Sequence, residues 1–199
     1  MTWTTPKTWA AATLSSSDMN LHLRDQLNEI WPPIGQLVGF DTSEYTMASV
    51  TEADMVTITP SPSITVDQSI LIRVPWRKTT GAAATVEIGL KLNSTIVWAS
   101  ANCSLSDGAN QAAGGFVEFM IPPRSANYLA GGTIMRGGSR DSSTGVSNQA
   151  PQFNNVGLTA LMPNATITAV VIRGRCSSAS ITLGIKDIAV YAQRIGSTT

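Results

Sequence analysis

The 199-residue sequence predicts an all-β chain: an antiparallel, jelly-roll-like β-sandwich preceded by an extended arm and one short amphipathic α-helix. Three observations carry this. From about Met55 onward apolar residues recur with period 2, as in Val86, Ile88, Leu90 and Leu92 set against Glu87, Gly89 and Lys91. These runs are short and are separated by turn residues: Pro60-Ser61-Pro62, Gly81, Asn93, Asp107-Gly108, Gly114-Gly115 and Pro122-Pro123. No stretch of period 3.6 lies between them, as the crossover helices of an α/β sheet would require. Residues 1–35 are therefore read as arm and docking helix, 36–54 as a linker and 55–199 as the sandwich.

The arm, residues 1–13, carries Trp3, Pro6 and Trp9 with Lys7 as its one charged side chain. Two indoles in so short a polar stretch expose much apolar area, so they are expected to pack on the body of the protein or on a partner. The helix follows. Ser15 caps its first turn, Asp18 completes a capping box, and Leu14 with Met19 has the spacing of a hydrophobic staple. Leu23, Leu27, Ile30 and Trp31 then form one apolar stripe, and Pro32-Pro33 ends the helix. About four turns long, it needs docking to be stable.

Strands are expected at 55–59, 70–74, 86–92, 95–100, 117–121, 167–172 and 180–192. The runs Ile70-Leu71-Ile72-Arg73-Val74 and Ile167-Thr168-Ala169-Val170-Val171-Ile172 read as buried on both faces. Val117, Phe119 and Ile121 alternate against Glu118 and Met120. Ile181, Leu183 and Ile185 share one parity while Ile188 and Val190 take the other, which predicts a bulge or break near Lys186-Asp187. Between Ser142 and Ile172 no residue is charged, and 131–166 is rich in Gly, Ser, Asn and Thr. That stretch is expected to be a long loop with one or two weak strands, its low charge suiting a subunit contact.

Composition excludes several kinds of chemistry. Thirteen basic and thirteen acidic residues cancel, leaving no field to hold a nucleic-acid backbone. No apolar stretch is long enough to span a bilayer, and no apolar segment follows a basic start as in a secretory signal, so synthesis in the cytosol is expected. His22 is the one histidine and lies on the docking helix, away from any nucleophile at a loop position. No metal-ligand spacing occurs, and Gly131-Gly132 and Gly137-Gly138 lack the context of a phosphate loop. Neither a cofactor nor an enzymatic activity is expected. Cys103 and Cys176 read as small buried residues, with a disulfide conceivable only if their strands are neighbours.

Two patterns point toward sugars. Glu87 and Glu118 lie on strands and would serve glycoside hydrolysis only if they faced each other across a cleft; a solvated sheet face is the simpler reading. Trp76, Trp98 and Tyr128, with Tyr191, fall in or beside strands and suit either stacking platforms for a host-surface glycan or core anchors. The basic residues Arg73, Arg77, Lys78, Arg136, Arg140, Arg173 and Arg175 lack interleaved aromatics and read as solubilising or ion-paired.

The segment Trp3-Thr4-Thr5-Pro6-Lys7-Thr8-Trp9, followed by Leu14-Ser15-Ser16-Ser17-Asp18-Met19-Asn20-Leu21-His22-Leu23-Arg24-Asp25-Gln26-Leu27, resembles the start of many tailed-bacteriophage virion proteins. The likeness covers about thirty residues; the remainder resembles the heads of phage fibre and capsid-decoration proteins in architecture alone. The resemblance implies a structural protein of the virion, assembled in the host cytoplasm and attached to other virion proteins of capsid or tail. Its contact residues would be Trp3, Pro6, Trp9, Leu14, Leu23, Leu27, Ile30 and Trp31. The low-charge β body suits a homo-oligomer, a trimer in particular. A carbohydrate-binding adsorption module is the alternative.

Overall fold

A computed structural model describes residues 35–79, 84–100, 113–124, 134–141 and 164–194. The arm, the docking helix with His22, Cys103, Tyr128 and most of the uncharged stretch lie outside the described residues.

Among the described residues eleven strands follow one another: β1 Gln36–Asp41, β2 Tyr45–Met47, β3 Ala53–Ile58, β4 Gln68–Lys78, β5 Val86–Leu92, β6 Thr95–Trp98, β7 Ala113–Ile121, β8 Ile134–Asp141, β9 Val170–Cys176, β10 Leu183–Ile185 and β11 Ile188–Arg194. All pairings are antiparallel. They form a seven-stranded sheet and a four-stranded sheet, the latter in the order β3-β9-β5-β6. Between the sheets lies one core. Ile70, Ile72, Val74, Val117, Phe119 and Val190 come from the larger sheet, and Val86, Ile88, Leu90, Val97, Trp98 and Ile172 from the smaller. The expected antiparallel β-sandwich is what forms.

The centre of the larger sheet is β4, eleven residues long. One edge pairs with β7 along nine positions, from Ile70↔Ile121 to Lys78↔Ala113. The other edge is shared, its first part by β11 and its last part by β10. This sharing explains the change of parity in the sequence. From Ile185, opposite Trp76, to Ala189, opposite Arg73, one chain advances four residues while β4 advances three. The extra residue falls in the Lys186-Asp187 link, where Asp187 has φ 53. Ile185 and Val190, of opposite parity, thus both face the core.

The turn expected at Asn93 is also present, with φ 53. An amide side chain tolerates this left-handed conformation better than most. Here it also ties two strands together: its Oδ1 accepts from the backbone N–H groups of Thr168 at 2.9 Å and Ala169 at 3.2 Å, and its Nδ2 donates to the Thr166 carbonyl at 3.0 Å.

Four expectations need correction. Gly114-Gly115 is not a turn: both residues lie inside β7, opposite Arg77 and Trp76 of β4. Residues 36–54 are not a linker: β1 pairs with β11, and β2 with β10, so both belong to the larger sheet. The run 70–74 is not buried on both faces, since Leu71 and Arg73 are half-buried and project outward. The strand expected at 167–172 begins at Val170 and continues to Cys176; Ile167 makes an isolated bridge to Ile64. Inside the Gly- and Ser-rich stretch, Ile134–Asp141 forms β8 by pairing with β7.

Candidate functional site

The two outer faces of the sandwich differ in chemistry. On the smaller sheet, register places Arg175 beside Glu87 and Arg173 beside Asp54. Arg175 Nε donates to Glu87, and Arg173 donates from Nε to Asp54 Oδ1 at 2.8 Å and from Nη1 to Glu52 Oε1 at 2.9 Å. Lys91 completes the group by pairing with Asp54. This face is a neutral lattice of charges adapted to water.

The lattice has a pH signature. Lys91 above all holds the Asp54 carboxyl below its ordinary range; burial opposes it as the next-largest effect, and Arg173 then adds to the lowering. A depressed carboxylate adds stability that is complete above its unfolded value and lost as pH falls through the folded one. The urea midpoint is therefore expected to fall as pH is lowered below about 4, and Asp54→Asn is expected to lower the neutral midpoint and flatten that acid limb. An unchanged acid limb in the variant would place the effect elsewhere.

The larger sheet carries one ion pair in the middle of its outer face, Arg73 Nε donating to Glu118 Oε1 at 2.7 Å, across strands in register. Next to it on β4, β7 and β11 the outward side chains are apolar, and on β8 register places Arg136 opposite Glu118. A β-bulge between Leu37 and Gly39 buries Val38 and turns both Leu37 and Phe40 to this face. Leu37, Tyr191, Leu71 and Met120 then stand in one row across β1, β11, β4 and β7. Pro75 and Phe116 are paired farther along. Leu37 is 47%, Phe40 66%, Phe116 42% and Met120 39% exposed.

The residues proposed for chemistry do not assemble. Glu87 and Glu118 stand on different sheets, each turned outward and each held by an arginine, so no cleft with two facing carboxylates exists between them. Trp98 is fully buried, its ring edge-on to Phe119 with centroids 5.6 Å apart and planes at 69°. Trp76 is 4% exposed and belongs to the core. Neither presents a ring face to a sugar, so both are core anchors rather than stacking platforms. Arg73, Arg77, Arg173 and Arg175 are ion-paired, as expected, Arg77 with Glu44 at the margin of a shallow depression of about 310 Å³ lined also by Pro75, Trp76, Gly184, Ile185 and Lys186. Cys176 is a free thiol that donates to the Met47 carbonyl at 3.3 Å, and burial pushes its pKa up. Among the described residues no group of three or more His, Cys, Asp or Glu could hold a metal ion, and no helix is long and apolar enough to cross a membrane.

Sequence reading missed two features. The outward apolar residues are one, although Phe116 and Met120 could be found from their parity, opposite to Val117, Phe119 and Ile121. Arg124 is the other. It is 2% exposed and donates from Nη2 to the Thr65 carbonyl at 2.8 Å and the Ile64 carbonyl at 3.3 Å, while its Nε and Nη1 have no partner among the described residues.

No protein-family model and no curated protein matches the chain. Among solved structures it is similar to the crystal structure of a functionally unknown protein from Saccharomyces cerevisiae, at 9% identity and a TM-score of 0.30, over 68% of this chain and 75% of that one.

Proposed function

We propose that the protein is a non-enzymatic structural component of a tailed-bacteriophage virion, of the decoration or fibre kind. It is assembled in the host cytoplasm, joins other virion proteins of capsid or tail through residues 1–35, and displays the β-sandwich at the particle surface. The observation that carries this reading is the contrast between the two sheet faces. Four of the arginines singled out in the sequence are spent in ion pairs, while the larger sheet offers solvent an apolar surface suited to contact rather than reaction. The Trp-rich arm and the stripe of Leu23, Leu27, Ile30 and Trp31 support attachment through the N-terminal segment.

The test is incorporation. A Leu27→Asp, Ile30→Asp double variant places two charges on the stripe and none in the sandwich. Its unfolding midpoint is expected to match the parent's, and its copy number on purified particles to fall at least tenfold. Full incorporation of a folded variant would overturn the proposal.

A further inference from the structure

We infer that the outer face of the seven-stranded sheet is the surface on which a second copy of this chain seats, patch against patch across a two-fold axis. Its centre would be Phe40, Leu37, Met120 and Phe116 around the Arg73–Glu118 pair. The inference deepens the reading of the protein as an assembly component and rests on it, but its test needs no particle.

Three observations select this occupant. The first is area. At roughly 200 Å² for a large side chain, the exposed parts of the four residues amount to about 400 Å² of apolar surface, before half-buried Leu71, Tyr191 and Pro75 are added. A standard interface buries about 800 Å² per partner, somewhat over half of it apolar, so this patch has the apolar content that a stable pairing needs.

The second is where the remaining apolar surface lies. Among the described residues the exposed large hydrophobics are these four and Val50. A head-to-tail ring needs two different complementary patches, whereas a two-fold contact needs one patch that matches itself. The described surface offers one.

The third is charge. Arg73 and Glu118 neutralise each other at the centre of the patch, so the pair brings no net charge against a second copy; Arg136 of β8, opposite Glu118 in register, stands at the sheet edge beside it. The face across the sandwich, with its lattice around Arg173 and Arg175, lacks this character.

The experiment is light scattering on the full chain after size exclusion, over a hundredfold concentration range, for the parent and for a Phe40→Glu, Met120→Glu double variant. Both substituted residues are exposed, so the variant is expected to keep the parent's unfolding midpoint when each is measured at the lowest concentration. The parent is expected at twice the single-chain mass of 21.0 kDa, and the variant at that single mass, with a dissociation constant raised at least a hundredfold. A parent that is monomeric throughout would overturn the inference and leave the face to the N-terminal segment or to another virion protein. A trimeric parent would overturn the two-fold arrangement, and a variant that still dimerises would move the contact elsewhere. Failure of this inference appears in the mass and failure of the virion reading in particle incorporation, so the two are told apart.

Discussion

Trp98→Ala is expected to cost about 4 kcal/mol of folding stability, in the range found when a large buried aromatic is truncated. The residue ends β6 in the smaller sheet, has no exposed surface, and meets Phe119 of β7 in the larger sheet edge to face. It therefore joins the two layers, and its removal leaves an empty volume that neither sheet can close without shifting against the other. For a domain stabilised by 5–15 kcal/mol this is a large share. Urea unfolding followed by circular dichroism measures it. A loss under 1 kcal/mol would mean that the ring does not hold the layers together. Any glycan binding lost in this variant would report unfolding rather than a missing stacking surface, and should be interpreted only beside the unfolding curve.

Gly89→Ala is expected to cost about 3 kcal/mol, the upper part of the range for overpacking. A Cβ at this position would stand 2.7 Å from the Trp98 carbonyl oxygen and 2.8 Å from the Ser100 backbone nitrogen. Both are backbone atoms and neither can swing aside. Glu52 Oε1 lies 2.9 Å away as well, and this is the oxygen that accepts from Ser100 N–H and from Arg173 Nη1. The added methyl therefore pushes on the end of β6 and on the charge lattice at once. Gly184→Ala is the control: there the obstacle is the flexible side chain of Arg77, which can move, and a small loss is expected. Equal losses at the two positions, read from the same urea curves, would contradict this account.

β5, which obeys period 2 over its whole length, and the 117–121 part of β7 were legible in the sequence, as was the break at Lys186-Asp187, because a change of parity is visible without knowing the partner strand; the first part of β7 was not, since Gly114-Gly115 carries a turn signal and no alternation. β1 was not legible for a related reason. Its bulge sends Leu37 and Phe40 to one face and Val38 to the other, so local alternation fails where the strand is real. β2 has three residues and owes its place to β10. Trp98 shows the limit for single side chains: the pattern around Ile96-Val97-Trp98 does not alternate cleanly, so the inward turn of the ring depends on tertiary packing. The ion pairs were foreseen as a class but not by partner, since Arg73 and Glu118 are 45 residues apart and Glu87 and Arg175 are 88 apart. The apolar face is a product of register. Leu37, Tyr191, Leu71 and Met120 come from four strands scattered through the chain, and each is unremarkable in its own strand.

The pairing of β1 with β11 also governs what can be joined to this protein. Gln36 lies opposite Ala192, and Gly35 packs against Ala192 and Gln193, so the chain comes into the sandwich and goes out of it at one corner. A body held through the N-terminal side and a cargo fused on the C-terminal side would compete for the same space. The exposed turn around Ser178–Ser180, between β9 and β10 at the far end of the strands, is free of that competition. Peptides meant to be displayed outward are best inserted there.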